Sequence, residues 1–379
     1  MDFLFSGLAA ITPAQLLMYG VGILLIYLAI KKGFEPALLL PMGFGAILVN
    51  LPLSGAIDQI TAGLGETNGI VQWLYETGIE ASEALPILLF IGIGAMIDFG
   101  PLLSQPILFL CGAAAQFGIF FALAAATLMG FSLADAASIG IIGAADGPTS
   151  ILVSQMLHSN YVGPIAVAAY SYMALVPIIQ PAAIRLVTSK KERRIKMPYN
   201  PKNVSKFTRI AFPILVTFIA GLVAPMSVSL VGFLMFGNLL RECGVLNSLS
   251  ETAQNVLSNL ITLLLGITIS FSMRADQFVN VNTLIIIGIG LLAFVFDSIG
   301  GVVFVKFLNL FRKNKINPMI GAAGISAFPM SARVVQKMAL EEDPSNILIM
   351  HAVGANVSGQ IASVVAGGMI LGLVSQMIG

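Results

Sequence analysis

The carboxylate of Asp146 stands alone in the run Gly143-Ala144-Ala145-Asp146-Gly147-Pro148-Thr149-Ser150, inside a long apolar stretch. An ionisable group at membrane depth costs on the order of 3 kcal/mol unless it is paired or solvated, so it marks a functional site by default. Its glycine and proline flanks break a helix and free backbone carbonyls. A carboxylate beside unwound backbone is how several transporters hold a small cation. The bland alternatives are an N-cap or a protonated, satisfied acid.

A second broken segment, Asn317 to Gln336, contains Pro318, Gly321, Gly324 and Pro329. Asn317 and Gly321 are four apart and are expected to share a helical face; Ser326 follows Gly324 in the break. Amide, hydroxyl and carboxylate oxygens with free carbonyls suit a hard cation such as sodium rather than zinc or copper. Asn317 also reads as a cap before Pro318. Arg333 is always charged: it either snorkels or binds a carboxylate through its planar fork. Tyr172 offers a cation ligand or a proton donor, and Tyr170 can equally be the inward one; an interfacial aromatic is the bland reading.

Weaker candidates surround these. Asp297 lies in an apolar span, where it would pair or join a relay; Asp98 falls at a span end. Asp135 follows Ser132 at capping-box spacing and reads as structural. His158 and His351 sit at segment edges with no metal-ligand spacing between them. Cys111 and Cys243 lie in apolar surroundings and form no disulfide framework. No phosphate-binding loop or Ser-His-Asp arrangement argues for hydrolysis.

These residues must be held by membrane elements. Hydrophobic residues make up 57% of the 379-residue chain and charged residues 10%, with a mean hydropathy of +0.95. A soluble domain carries roughly 25% charged residues. The balance of 19 basic and 18 acidic residues gives no case for nucleic acid. No cleavable signal peptide is expected from the first ten residues, which carry Asp2 and lack a basic start.

Spans are expected over Gln15–Ile30, Pro36–Val49, Leu85–Phe99, Pro106–Met129, Val162–Leu186, Ile210–Ala224, Val228–Leu240, Leu257–Met273, Leu284–Leu310 and Ile347–Ile378. The last is expected to be interrupted at Gly354–Gly359. Leu53–Glu83, with five carboxylates and no Lys or Arg, reads as an extracytoplasmic amphipathic or partly re-entrant segment. The basic loop from Lys190 to Arg209 belongs in the cytoplasm only if Ala134–Met156 enters and leaves from the outside, so a re-entrant hairpin is favoured.

Ile142-Gly143-Ala144-Ala145 recurs as Ile320-Gly321-Ala322-Ala323, and Gly94–Phe99 is echoed by Gly266–Phe271 in the same order. The expected fold is therefore an all-α polytopic membrane protein of about ten spans. It carries two re-entrant broken hairpins within inverted repeats, in the manner of an elevator-type transporter. Its parts are 1–84 (N-terminal spans), 85–188 (first repeat, hairpin 134–156), 189–256 (basic loop and linking spans) and 257–379 (second repeat, hairpin 317–336).

The Asp146 run, the segment Asn317–Ser326 and the stretch His351–Gly359 together resemble the beta subunit of sodium-pumping, biotin-dependent decarboxylases acting on oxaloacetate, methylmalonyl-CoA or glutaconyl-CoA. The likeness covers nearly the whole chain. It implies decarboxylation of carboxybiotin, supplied on a separate biotin carrier subunit, coupled to Na+ export. It implies Asp146, Asn317, Tyr172 and Ser326 at the sodium sites, and Arg333 with Tyr172 at carboxybiotin. Gly147, Thr149, Gly321, Asn356 and Ser358 would support them. Implied partners are a carboxyltransferase alpha subunit, the biotin carrier, a small single-span membrane subunit and further copies of this chain, as a trimer. The implied location is the inner (cytoplasmic) membrane, with the basic loops cytoplasmic. The alternative from another class is a secondary sodium-coupled carboxylate symporter, since fold alone does not separate the two.

Overall fold

The computed structural model describes residues 2–33, 36–61, 65–199 and 204–378. A short helix α1 (Asp2–Ala9) precedes the first long one, α2 (Pro13–Lys32). Thr12 starts α2 with a capping box to Gln15, Pro13 occupies the first turn, and Gly33 at φ 66° ends the helix. α3 (Pro36–Asn50) packs back along it. The acidic segment that follows is more structured than expected: an antiparallel hairpin of β1 (Asp58–Thr61) and β2 (Gly65–Asn68) leads into α4 (Ile70–Tyr75). A π turn over Glu76–Glu80 continues α4, and α5 (Ala84–Met96) then leaves it at a bend of 67°.

After α6 (Gly100–Ser104), the expected span Pro106–Met129 appears as two helices, α7 (Leu108–Ala114) and α8 (Phe117–Leu128). The break is stabilised by buried Asp297, whose Oδ1 accepts the Gly118 N–H at the start of α8. That is a capping interaction supplied by a different helix.

The first broken hairpin runs through α9 (Leu133–Gly140), a 3-10 turn at Ile141–Ala144 and α10 (Gly147–Met156). Its two ends meet. Asp135, at the start of α9, accepts Ser159 Oγ at 2.8 Å and Asn160 N at 2.9 Å beyond the end of α10. The segment therefore returns to the side it came from. α11 (Val162–Val187) carries the chain away with a 71° bend above Pro177 and Pro181, where helix hydrogen bonds are lost. The short α12 (Lys190–Arg193) opens the basic loop.

The linking helices are α13 (Lys206–Val223) and α14 (Val228–Glu242). α15 (Asn247–Glu251), a π turn at Thr252–Leu257 and α16 (Ser258–Ile269) form one run that starts about three turns of helix further upstream than expected. α17 (Ala275–Phe278) precedes α18 (Val281–Leu308). The second broken hairpin follows as α19 (Met319–Ala322), a loop and α20 (Met330–Glu342), so it extends beyond Gln336.

Its ends also meet, at the other end of α11. Asn317 Nδ2 donates to the carbonyls of Arg193 (2.8 Å) and Ile195 (2.9 Å), and Asn346 Nδ2 reaches the same two at 3.3 Å. Arg193 in turn pairs with Glu342 at 2.7 Å, both largely buried. Ser345 and Lys196 hold the Asp343 carboxyl at about 2, so this clamp stays charged through the neutral range.

α21 (Ile349–Ile378) is one unbroken helix. The interruption expected at Gly354–Gly359 does not occur, because Gly359 serves close approach instead. A Cβ there would lie 2.1 Å from the Gly324 carbonyl oxygen. Gly301 on α18 and Gly321 on α19 cross in the same way, each leaving no room for a methyl on the other.

Among the described residues, six helices are long and apolar enough to cross a membrane, and two bent pairs raise this to eight. Outward faces such as Leu16, Ile23, Phe207 and Phe218 remain exposed, as lipid-facing surface requires. Among the described residues three hydrophobic clusters form: the largest joins both hairpins with α7, α8, α18 and α21, a second joins α2, α3, α16 and α17, and a small one gathers Val49, Ala56 and Val71.

Candidate functional site

The tips of the two hairpins touch at Asp146. The 3-10 turn ends at Ala145 with φ 52°, and Asp146 then caps α10, whose first turn contains Pro148. The residue is thus an N-cap and more than that. Its Oδ2 accepts the hydroxyls of Thr149 (2.8 Å), Ser363 (3.0 Å) and Ser326 (3.4 Å). Ser326 and Ser363 are 2.9 Å apart, and Ser326 N donates to the Ala144 carbonyl at 3.2 Å. Gln360 holds the Ser326 carbonyl, and Asn356 Nδ2 holds that of Ile325 at 2.6 Å. Asp146 is 3% exposed, and among the described residues no Lys, Arg or His pairs with it.

The site opens into a cavity of ≈ 410 Å³. Leu89, Ile93 and Thr262 line one wall, from α5 and α16; Asp146, Tyr170, Ser326 and Gln360 line the other. One carboxylate and three hydroxyls cluster at the end of a 3-10 turn as a set of hard oxygen donors. That donor set matches a hard cation, and half-helix carbonyl ends favour its charge.

Other expected residues lie elsewhere. Tyr172 faces α18, where its hydroxyl donates to the Ile287 carbonyl. Two residues along a helix point to nearly opposite sides, so Tyr170 takes the cavity and Tyr172 does not. Gly147 accommodates the Tyr170 ring, which a Cβ there would meet at 2.2 Å. Asn317 is not brought to Asp146. It stands at the base of its hairpin, nine positions before the tip at Ser326, and its amide oxygen accepts Met319 N at 3.1 Å. It and Gly321 share no helical face, since α19 begins only at Met319. Arg333 is exposed on α20, one turn after Pro329 at the cavity wall, in a shallow groove with Lys337 and Glu341. Ser358 braces α21 against the Leu108 carbonyl at 2.8 Å.

Asp98 lies beside Arg209 (3.6 Å), and His351 meets Gln105 at 3.1 Å. Gln360 and Ser363 were not anticipated. With Asn356 they fall at i, i+4 and i+7, a polar stripe on an otherwise apolar helix, which was a readable signal. Gln180, which holds the Ala322 carbonyl (2.8 Å) and Ser331 (2.7 Å), carried no such pattern.

These elements make up a multi-pass helical membrane protein with a buried cluster of oxygen donors where the tips of two broken hairpins meet. A profile of the family described as the Na+-transporting oxaloacetate decarboxylase beta subunit matches residues 14–374. The chain is 46% identical to the methylmalonyl-CoA decarboxylase subunit beta of Propionigenium modestum, covering 98% of each. It is 47% identical to the glutaconyl-CoA decarboxylase subunit beta of Acidaminococcus fermentans, over 97% of this chain and 96% of the relative. With the oxaloacetate decarboxylase beta chain 2 of Salmonella typhi it shares 42% identity over 98% of each. The chain belongs to this family of Na+-transporting decarboxylase beta subunits.

Proposed function

We propose that the chain decarboxylates carboxybiotin presented by a separate biotin carrier subunit and uses the reaction to export sodium. The observation that carries this reading is the oxygen surround of Asp146 at the junction of the hairpin tips, in a family of Na+-transporting decarboxylases. Sodium is the cargo. Asp146, Thr149, Ser326 and Ser363 are its ligands in the conformation described, while Asn317 anchors the base of the second hairpin.

The cavity lies where α3, α5 and α16 face the hairpins, so relative movement of these two groups would expose the ion to one side and then the other. The opposed hairpins support inverted repeats and an elevator-type motion. Coupling follows if ion occupancy and biotin access bias this one two-state element. On the substrate side, Arg333 binds the carboxylate of carboxybiotin. Leaving water promotes loss of CO2 as the ureido nitrogen takes a proton.

The subunit would work in the inner membrane, its basic loop on the cytoplasmic side facing the carboxyltransferase and the carrier. A small single-span subunit and a trimer of this chain complete the proposed assembly. The test is decarboxylation of free carboxybiotin by reconstituted protein. Arg333→Lys, which keeps the charge but loses the fork, should lower turnover at least about 100-fold while sodium still binds. Near-normal turnover would remove Arg333 from the substrate site.

A further inference from the structure

Tyr170 is the one phenol in the Asp146 cavity, and its hydroxyl oxygen is buried without a hydrogen-bond partner. Buried hydroxyls in native proteins are nearly always satisfied, so an orphan points to a missing occupant. The ring is fixed: it lies against Gly147, next to Asp146 in sequence, and it sits within electrostatic range of that carboxylate. The hydroxyls of Thr149, Ser326 and Ser363 are already engaged with Asp146 and with one another. Together with the carboxylate they approach an ion from the hairpin tips and α21. Of the two α11 residues that line the cavity, Tyr170 and Met173, only Tyr170 carries a side-chain oxygen.

We infer that Tyr170 supplies the phenol oxygen that completes the coordination of the sodium ion held by Asp146, closing the site from the α11 side. This rests on the sodium reading of Asp146 above. An oxygen delivered on a rigid ring sets the distance across the site, and therefore the size of ion it fits. Lithium, being smaller, gains less from a ligand at that span. Tyr170 would accordingly contribute to preference among monovalent cations as well as to affinity.

Equilibrium binding of sodium and of lithium to purified full-length protein tests this, using Tyr170→Phe, which keeps the ring and removes only the oxygen. Sodium affinity should fall about tenfold, the scale of one lost polar contact, and lithium affinity should fall less. Thermal stability without sodium should stay level or rise, because the variant deletes an unsatisfied polar atom. The sodium-induced rise in melting temperature should shrink. Asp146→Asn measured alongside separates the two ideas. Wild-type sodium binding by Tyr170→Phe, with binding lost in Asp146→Asn, overturns the inference and leaves the site intact. Undiminished binding in both variants overturns the site itself. A fall in sodium-free stability for Tyr170→Phe, with unchanged cation preference, would make the phenol a packing residue and overturn the inference.

Discussion

Ser363 shows how a residue on a regular helix enters a site built by irregular backbone. Its hydroxyl is 3.0 Å from Asp146 and 2.9 Å from Ser326, so it touches both hairpin tips from α21. If these groups are sodium ligands, Ser363→Ala removes one neutral oxygen and leaves the carboxylate. Half-saturation for sodium activation should then rise about three- to tenfold, without loss of activity at saturating ion. An unchanged sodium requirement would confine Ser363 to packing. Asp146 and Ser326 were legible in the sequence because a lone carboxylate or hydroxyl between helix breakers has few structural uses at membrane depth. Tyr172 and Asn317 were misplaced for geometric reasons. The former depended on helix phase, which a run such as Tyr170-Ser171-Tyr172 does not fix. The latter depended on how far along the hairpin the tip lies, which follows from where Arg193 and Ile195 receive the amide.

The hairpins were legible as elements because the positive charges at Lys31-Lys32 and in the loop after α11 belong on one side, so an even number of crossings must separate them. In the fold the ends of each hairpin meet, at Asp135 with Ser159 and at Asn317 with Asn346. α21 went the other way. Its glycines look like breakers in a sequence, yet in the fold they admit neighbouring backbone, and only the partner helix distinguishes the two uses. Opposed entry of the hairpins makes a topological prediction. The hairpin bases are exposed at Asn160 and Ser345, which makes them accessible to label. Asn160→Cys and Ser345→Cys, in a chain whose partly exposed Cys243 has been replaced, should react with an impermeant thiol reagent from opposite sides of the membrane. Modification of both from one side would refute opposed entry.

At the scale of the molecule, the second hairpin hangs from a charged clamp while its tip rests on Asp146. The Arg193–Glu342 pair is 8% and 16% exposed at its side chains. Removing one partner leaves a buried charge, so Glu342→Gln should destabilise the protein by about 2 kcal/mol, read as an earlier thermal transition. A melting temperature equal to wild type would mean that water solvates the clamp and that the pair adds no stability. Composition alone established the membrane class. The cavity between the α3–α5–α16 side and the hairpins was not legible, since it arises from contacts among segments distant in the sequence.

Whether Asp146 holds the transported ion is read out by equilibrium binding of radioactive sodium to the purified protein. Loss of a full negative charge from a cation site should outweigh loss of any single neutral ligand. Wild-type protein should bind sodium saturably, and Asp146→Asn, inserted and folded, should show no saturable binding. Sodium binding by Asp146→Asn at wild-type affinity would contradict the account.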